Sequence, residues 1–332
     1  MEQIEVIYMD MNVLILSAGR RVELTKIFKE AVKKFGEKNK VITVDLSDTA
    51  PANYFADNNY SVSRVTSDTY INEVIDICKE ENIKLIVPTI DTELLILAKN
   101  REKIEKETGA KVLISDEKYI KICRNKITTS KFFKENNIGT PREINKEILE
   151  NKDFSFPLFI KPLDGSSSIN TFKVNNEKEL EFFQEYIEKP IVQEFIEGTE
   201  YTVDILLDFD SNPITIVPRE RIATRSGEIS KGKVVKDREV INAVKELLKV
   251  FKGRGHITAQ CMKTKDGIKF IEINPRFGGG APMSIKAGAN SAENILKLLS
   301  GEKLDYNENY KEDILAIRFD DSIFIDKNGE LI

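Results

Sequence analysis

Apolar and polar residues recur along this chain with the periods of strands and helices. Residues 12–16 and 84–88 are short apolar runs typical of buried parallel strands, and residues 22–35 have the spacing of an amphipathic helix. A strand, a tight turn at Gly19 and a helix form the opening of a doubly wound α/β unit. The pattern therefore predicts a Rossmann-like parallel-sheet domain over residues 11–115.

The pattern changes after residue 115. Residues 116–155 are predicted to be a helical linking part, because helical periodicity dominates there. Residues 156–198 combine strands and one helix on the scale of a small α+β lid. Residues 199–332 alternate over several strands and are predicted to form an antiparallel-sheet domain. The predicted fold class is thus α/β followed by α+β.

One strand near the end of the chain carries the clearest chemistry. It lies within residues 269–280, which read KFIEINPRFGGG. Successive side chains of a strand point to opposite faces, so Glu272 and Asn274 should share one face while Ile271 and Ile273 share the other. This pattern predicts a strand that ends in a magnesium and phosphate site.

The preceding strand allows the register to be tested. A three-residue hairpin loop with Gly267 in the left-handed position places Gln260 directly opposite Glu272. A two-residue Asp-Gly loop would place Cys261 there instead. We prefer the first register because it gathers Gln260, Glu272 and Asn274 on one face. Three oxygen donors within reach of one another predict a Mg²⁺ site.

A lysine and a small polar loop predict a phosphate site. Lys161 lies amid apolar neighbours in a predicted strand over residues 156–162. The loop that follows consists of Gly165, Ser166, Ser167 and Ser168. Backbone N–H groups and hydroxyls of such a loop can fold over phosphate oxygens while the lysine supplies a point charge. A flexible hairpin tip is the alternative interpretation.

Charged residues also follow two predicted strands of the first domain. Asp91 and Glu93 come after the apolar run over residues 84–88, and ligands of open α/β sheets gather beyond the carboxyl ends of strands. A helix N-cap near Asp91 is the alternative. Arg20 and Arg21 begin a helix, where they either hold an anionic group or form a solvated first turn. We expect Arg20, Asp91 and Glu93 to contact a substrate.

The densest basic cluster of this acidic chain spans residues 219–225. It is either a solvated loop or a site for an anionic substrate or phosphate, and we expect Arg219 and Arg221 to bind such a group. Gly278 and Gly279 belong to the triple-glycine loop. We expect this loop to let the substrate approach the backbone closely.

Composition narrows the classes of function. The 332 residues are 41% hydrophobic and 32% charged, as in a globular protein, and the net charge of −5 attracts neither nucleic acid nor an anionic membrane. No apolar run approaches the roughly 18 residues of a membrane span. Cys78, Cys123 and Cys261 lack metal-site spacing and are expected to be buried free thiols, and His256 is the only histidine. We expect a cytoplasmic protein.

Several of these motifs occur in a familiar order. Lys161 precedes a Gly/Ser loop, QEFIEGTE follows at 193–200, and Gln260 precedes the sequence EINPR at 272–276. With these motifs the chain resembles the ATP-grasp superfamily, in particular a single synthetase unit of the carbamoyl phosphate synthase large subunit and the related stand-alone carboxylate-amine ligases. The resemblance covers nearly everything from Asn12 onward.

The resemblance implies an ATP site. It assigns phosphate binding to Lys126 and Lys161, with a catalytic role for Lys161, and makes residues 165–168 the mobile loop over the triphosphate. The hinge at the adenine edge would consist of Glu194, Phe195 and Ile196.

The resemblance also assigns the remaining roles. Glu200 would bind the ribose hydroxyls, and Gln260, Glu272 and Asn274 would bind Mg²⁺, for which Mn²⁺ can substitute. Arg276 would be catalytic, because it steadies the transferring phosphate. Phosphoryl transfer depends on positioning and charge neutralisation, so a chain with one histidine can carry it out.

The activity implied by the resemblance is that of an ADP-forming ligase. Family members phosphorylate a carboxylate to an acyl phosphate, which an amine then captures. We therefore expect a small carboxylate and an amine as substrates, one of them resembling an amino acid, and a possible homodimer.

Three alternatives remain. One is a non-catalytic nucleotide-binding or regulatory protein, and another is a carboxyphosphate-forming enzyme. The latter is less favoured, because a complete carbamoyl phosphate synthase needs two synthetase units. An NAD-dependent oxidoreductase would rest on the first strand-helix-strand unit alone, which has one glycine where the NAD fingerprint has three.

Overall fold

The computed structural model describes residues 9–164, 169–329 and 331–332, and their strands form three sheets. The predicted phosphate loop from Gly165 to Ser168 lies outside the described residues. None of the described helices is long and apolar enough to cross a membrane.

The first sheet is parallel. Its strands are β1 (Asn12–Ile15), β2 (Val41–Asp45), β3 (Asn58–Ser61), β4 (Ile83–Val87) and β5 (Lys111–Val112). They lie in the order β3-β2-β1-β4-β5, so the order reverses at β1 and leaves a crevice beyond the carboxyl ends of β1 and β4. The helices of this part are α1 (Val22–Lys33), the 3₁₀ turn Pro51–Phe55, α2 (Tyr70–Glu80) and α3 (Asp91–Thr108).

A short helical stretch and a small sheet follow. The helices are α4 (Glu117–Arg124), α5 (Lys126–Glu135) and α6 (Lys146–Glu150). The sheet is antiparallel, in the order β7-β6-β8, and consists of β6 (Leu158–Pro162), β7 (Phe172–Val174) and β8 (Pro190–Glu194). The helix α7 (Glu177–Tyr186) buries Leu180 in an apolar cluster with Leu158 and Ile160.

The third sheet is antiparallel and holds most of the later chain. Its strands are β9 (Thr199–Leu207), β10 (Pro213–Arg225), β11 (Glu228–Val234), β12 (Gly255–Thr264), β13 (Gly267–Asn274) and β14 (Ile314–Ile317). Their order is β13-β12-β9-β10-β11-β14. The helices are α8 (Arg238–Val250), α9 (Ala281–Lys286) and α10 (Ser291–Leu299).

The parallel sheet and the third sheet pack on each other through one apolar core. Val13 and Phe28 of the first part share a buried cluster with Leu206 of β9 and with Phe277. The Phe277 ring meets Phe28 edge-on at 5.7 Å and stacks on His256 at 4.1 Å. The chain just after β13 is therefore held against the crevice of the parallel sheet.

Two predicted elements differ from the structure. The basic cluster over residues 219–225 was a candidate loop, but it forms the second half of β10. The single helix expected from about Ser284 to Leu299 is two helices, α9 and α10. They are separated at Gly288, whose φ of +112° no helix accommodates.

The hairpin of β12 and β13 has the predicted pairing but a different loop. Gln260 lies opposite Glu272, as expected. Thr264, however, pairs with Gly267, so the loop has two residues rather than three. A β-bulge at Ile271 adds one residue to β13 and restores the pairing.

The bulge also changes which side chains share a face. Ile271 and Ile273 were expected on one face, but Phe270 and Ile273 are the buried residues of this strand. Ile271 is partly exposed and lies beside Glu272 on the wall of a cavity. The expected alternation is wrong at Ile271, because the bulge breaks it.

Candidate active site

Two adjoining cavities lie against the hairpin of β12 and β13. The apolar cleft has a volume of about 440 Å³ and is lined by residues such as Phe159, Phe195 and Met262. The charged cavity has a volume of about 620 Å³ and is lined by residues such as Arg276 and Glu228.

The two cavities share part of their walls. The residues common to both linings are Lys126, Gly227, Gln260, Ile271 and Glu272. A ligand that fills the apolar cleft can therefore reach a ligand in the charged cavity at this shared wall.

The predicted hinge lies along the apolar cleft. Glu194, Phe195 and Ile196 all line it, together with Met262 and Ile271. Lys173 places its ammonium 4.2 Å from the centre of the Phe195 ring. A cleft lined by apolar and aromatic side chains suits a planar heterocycle.

Both predicted phosphate lysines line the apolar cleft. The Lys161 side chain is buried, and no described residue forms a hydrogen bond with its ammonium. Burial and the neighbouring charge of Lys126 lower the pKa of Lys161 to about 8. Lys126 donates to the Pro162 carbonyl oxygen at 2.8 Å, and burial lowers its pKa too. Within the described part of the chain, no carboxylate forms an ion pair with Lys161, so a phosphate could bind its ammonium directly.

Glu200 lines the apolar cleft and already has two partners. It accepts a hydrogen bond from the Gln260 amide and lies 3.1 Å from the Nε of Arg221. Arg221 also donates to Thr202 at 3.1 Å and to the Gly227 carbonyl at 2.9 Å. Arg221 therefore holds Glu200 and the start of β11, and its predicted role as a substrate ligand stays a prediction.

Of the predicted magnesium ligands, Gln260 and Glu272 belong to the shared wall, and Asn274 lines the charged cavity. Gln260 lies opposite Glu272, and the Asn274 amide donates to Glu272 at 2.8 Å. Within the described part of the chain, no three His, Cys, Asp or Glu side chains cluster as a metal site. One carboxylate and two amides fit Mg²⁺, which takes few protein ligands when phosphate oxygens and water complete its shell.

Arg276 forms a double hydrogen bond in the charged cavity. Its Nη2 and Nε donate to the two Asp91 oxygens at 2.6 and 3.1 Å. Asp91 begins α3 at the crevice of the parallel sheet, and Arg276 follows β13. The sequence analysis predicted both residues at the site but did not predict that they pair.

Glu93 is not placed to bind a ligand. It was predicted to contact the substrate, yet its side chain is fully buried. It accepts hydrogen bonds from the N–H groups of Thr89 and Ile90 at 2.7 and 3.1 Å and from Ser17 at 2.6 Å. Burial raises the pKa of Glu93, which these bonds partly offset. Glu93 therefore closes the first turn of α3.

Arg219 is committed to a buried ion pair. It was predicted to hold a substrate and does reach the cavity wall, but its side chain is 1% exposed. Its Nε and Nη2 donate to Asp204 at 2.7 and 3.0 Å, and Ser284 donates to the same carboxylate. Burial alone would raise the pKa of Asp204, but Arg219 and His256 hold it far below its usual range.

Of the two adjacent arginines before α1, Arg21 lines the charged cavity, whereas Arg20 was the one predicted to contact the substrate. Arg20 is exposed, and the described residues of the cavity lining include Arg21 but not Arg20. Arg21 precedes the first turn of α1, and its Nη1 lies 3.5 Å from Glu228. The sequence named both arginines, but a helix start does not reveal which side chain turns inward.

The triple-glycine loop leaves room for protein side chains. A Cβ on Gly279 would lie 2.6 Å from Arg21 Nη1 and 2.8 Å from both Glu228 carboxylate oxygens. A Cβ on Gly278 would lie 3.1 Å from the Thr258 hydroxyl. Both glycines line the charged cavity. The space expected for substrate at Gly279 is thus occupied by Arg21 and Glu228.

Two charged residues were missed by the sequence analysis. Asp204 is an acid between Val203 and the apolar run over residues 205–207 of β9, a signal that it needs a buried partner. Glu228 follows a Ser-Gly turn between two basic strands, and no local signal distinguished it.

Two family descriptions match this chain. The PylC-like N-terminal domain matches residues 13–113, and the ATP-grasp domain matches residues 123–280. The chain therefore contains an ATP-grasp domain behind a PylC-like N-terminal domain. This confirms the family resemblance.

This ATP-grasp protein has curated relatives among ligases. It is 26% identical over 290 residues to the tyramine–L-glutamate ligase of Methanocaldococcus jannaschii, which covers 84% of this chain and 83% of that one. It is 26% identical over 186 residues to the D-alanine–D-alanine ligase of Fusobacterium nucleatum, covering 52% of this chain and 62% of the relative.

Solved structures show the same fold. N5-carboxyaminoimidazole synthetase of Staphylococcus aureus, in complex with ADP, aligns with a TM-score of 0.70 at 17% identity, over 90% of this chain and 80% of that one. The L-amino acid ligase of Bacillus licheniformis aligns with a TM-score of 0.65 at 20% identity, over 87% and 74% of the two chains. The predicted ATP-grasp fold is confirmed.

Proposed function

We propose that this protein is an ATP-dependent ligase that activates a small carboxylate as an acyl phosphate and joins it to an amine. The observation that carries the proposal is the shared wall of the two cavities. Lys126, Gln260 and Glu272 face both the apolar cleft and the charged cavity. Groups suited to phosphate and Mg²⁺ therefore stand between a site for a heterocycle and a site for charged substrates. The relatives named as ligases support the same activity.

ATP would bind with its base in the apolar cleft. The base would lie between Phe159 and Met262 with its edge on the backbone of residues 194–196, and its phosphates would extend toward Lys126 and Lys161. Glu200 would meet the ribose. Binding of an anion next to Lys161 favours the protonated ammonium, which burial otherwise disfavours.

Mg²⁺ is part of this proposal. Gln260, Glu272 and Asn274 would hold it, and the bound ion neutralises the charge that develops on the phosphate oxygens. Mn²⁺ offers the same charge and oxygen preference. The other tasks fall to the chain itself: Lys161 orients the terminal phosphate, and Arg276, fixed by Asp91, faces the reacting groups.

The reaction has two steps. A substrate carboxylate oxygen attacks the terminal phosphorus of ATP, and the bond to ADP breaks. The amine nitrogen then attacks the acyl carbon, phosphate leaves with the bonding electron pair, and the nitrogen loses a proton. The two adjoining cavities position the reacting groups, and the bound ligands themselves would exclude water from the acyl phosphate.

An ADP-release screen tests this function. Pairs of small carboxylic acids and amines are incubated with Mg-ATP, and ADP is measured with and without each partner. We expect ADP formation that requires both a carboxylate and an amine. Nucleotide binding without ADP formation across the panel would instead favour a non-catalytic regulatory protein.

A substitution at the shared wall sharpens the test. Glu272→Gln removes the only carboxylate among the three proposed metal ligands, and we expect ADP release to fall about 1000-fold, or about 4 kcal/mol. Asp266→Asn is the matched control, because it removes a charge from the exposed turn of the same hairpin. Undiminished turnover of Glu272→Gln would refute the metal assignment.

Assembly and location belong to the same proposal. A homodimer is expected, and sedimentation or light scattering measures it directly; one structural neighbour is described as a dimer. We place the protein in the cytoplasm, where ATP is abundant and thiols stay reduced, because Cys78, Cys123 and Cys261 are free.

A further inference from the structure

Arg21 differs from three other arginines of the charged cavity in what holds it. Arg276, Arg219 and Arg221 each donate two or more hydrogen bonds to protein acceptors. The guanidinium of Arg21 forms no hydrogen bond with any described residue. Its one ion pair is with Glu228 at 3.5 Å. A guanidinium has five N–H donors, so this side chain keeps its donors for a ligand.

Glu228 is hydrogen-bonded by Arg318 and also lines the charged cavity. Arg318 donates to one of its oxygens at 2.8 Å, while the side chain remains 37% exposed and lines the charged cavity. Burial raises the pKa of Glu228, but Arg318 and Arg21 outweigh this effect and lower it, so the group is a carboxylate at neutral pH. A cation donor and an anion acceptor thus face the cavity side by side.

The absence of a side chain at Gly279 leaves space for Arg21 and Glu228. Arg21 precedes α1, Glu228 begins β11, and both reach the position where Gly279 lacks a side chain. Any Cβ at Gly279 would come within 2.8 Å of both side chains. Three separate segments therefore converge to keep the two opposite charges adjacent.

We infer that Arg21 and Glu228 bind the adjacent carboxylate and ammonium groups of an α-amino acid, which is one of the two substrates of the ligase. The inference rests on the proposed function of the same site. The ligand carboxylate takes the free N–H donors of Arg21, and its ammonium donates to Glu228.

The two charges together explain why an amino acid is favoured over a simple acid or amine. A ligand with only a carboxylate would leave Glu228 facing a negative group, and a ligand with only an ammonium would leave Arg21 facing a positive one. Like charges next to each other in a partly dehydrated cavity are costly, so the site selects ligands that carry both groups.

Ligand binding to the full chain tests the inference. Thermal shift is measured with saturating Mg-ADP and each of the twenty common amino acids, and then with the deaminated and decarboxylated analogues of the best ligand. We expect at least one amino acid to raise Tm, and both analogues to bind at least tenfold more weakly. Binding of an analogue as tightly as the amino acid, or a shift with no amino acid at all, would overturn the inference.

Substitutions test whether Arg21 and Glu228 are the residues that bind the amino acid. Arg21→Met and Glu228→Gln should each weaken amino-acid binding at least tenfold, with Arg21→Lys restoring part of it. Arg20→Met is the matched control, since Arg20 is the exposed neighbour outside the cavity lining, and it should bind as the parent does. Equal binding by Arg21→Met and the parent would refute the assignment.

Nucleotide binding separates this inference from the proposed function. Mg-ADP affinity is measured in every variant, and it should stay unchanged in Arg21→Met, which also shows that the variant is folded. If the parent binds Mg-ADP and forms ADP from ATP without selecting amino acids, the inference alone fails. If the parent does not bind Mg-ADP, the proposed function fails.

Discussion

The apolar cleft and the charged cavity hold their charges in different ways. In the cleft, Lys161 is buried among apolar residues, and no described residue forms a hydrogen bond with its ammonium. In the cavity, Arg276 and Arg219 are each fixed by an aspartate through two hydrogen bonds. The positive charge of Lys161 in the cleft is therefore available to a ligand. In the cavity, aspartates of the protein already neutralise the charges of Arg276 and Arg219.

This difference suggests that the lysine of the cleft contributes to ligand affinity, whereas the paired arginines of the cavity contribute fixed positions. A lysine whose ammonium is not hydrogen-bonded by any described residue can bind a phosphate directly, so its charge contributes to affinity. An arginine already paired with an aspartate gains little from a ligand, but it is fixed in position. Among the four arginines of the cavity that are not exposed, Arg21 is the exception, because its guanidinium forms no hydrogen bond with any described residue, and that is why it is assigned to the substrate.

The largest effect expected concerns the buried pair of Asp204 and Arg219. Asp204→Asn leaves Arg219 as an uncompensated buried charge, so the free energy of unfolding should fall by about 3–5 kcal/mol. Urea denaturation at pH 7 measures it. Asp320→Asn removes the exposed partner of Arg225 and should cost no more than about 1 kcal/mol. Equal losses in the two variants would break the distinction between fixed and available charge.

The pH dependence of the same pair has a defined sign. The pKa of Asp204 is lowered in the folded protein, so its contribution is fully present above the unfolded value of about 4 and fades as pH falls below it. The stability gap between the parent and Asp204→Asn should narrow between about pH 5 and pH 3. A gap that widens on acidification would contradict the lowered pKa.

Two neighbouring glycines sharpen the comparison within the cavity. A Cβ on Gly280 would lie 2.3 Å from Arg219 Nη1, which the buried pair holds in place. Gly280→Ala should therefore lower the free energy of unfolding by about 1–3 kcal/mol.

Gly279→Ala is the matched variant. Its Cβ would meet the ends of Arg21 and Glu228, which are partly exposed and can move. We expect stability within about 0.5 kcal/mol of the parent, as for surface changes, but weaker amino-acid binding. A larger stability loss for Gly279→Ala than for Gly280→Ala would contradict the view that Arg219 is fixed in place while Arg21 and Glu228 can move.

The last effect concerns nucleotide binding next to Lys161 in the apolar cleft. Its pKa of about 8 means that the free protein loses this charge as pH rises, while bound phosphate retains the proton. The Kd for ADP should therefore rise about tenfold between pH 7 and pH 9. Lys161→Arg keeps its charge in this range and should show a flatter profile; the same rise in both proteins would exclude Lys161 as the cause.

Local sequence patterns predicted much of the fold and of the shared wall. The apolar runs of β1 and β4, the glycine turn and the alternation of β9 depend on neighbouring residues only, so they can be seen in one sequence. The pairing of Gln260 with Glu272 was also predicted. Its loop was not, because a bulge at Ile271 compensates for a shorter turn and leaves no clear trace in the sequence.

The substrate side was harder to predict because its residues are distant in sequence. Glu93 and Arg219 looked like ligands by charge and position, yet each has buried partners that occupy it. A charge pattern does not show whether a partner from another element already neutralises it.

The sequence by itself determined the family, the two kinds of sheet and the set of oxygen donors and lysines along the two cavities, because these follow from local periodicity and short motifs. Only the tertiary structure decided which charges are available to a ligand. Arg21, Glu228 and Gly279 lie far apart along the chain, and their meeting depends on how the parallel sheet packs against the third sheet. Electrostatic availability is a property of that packing, since it depends on the nearest opposite charge in space.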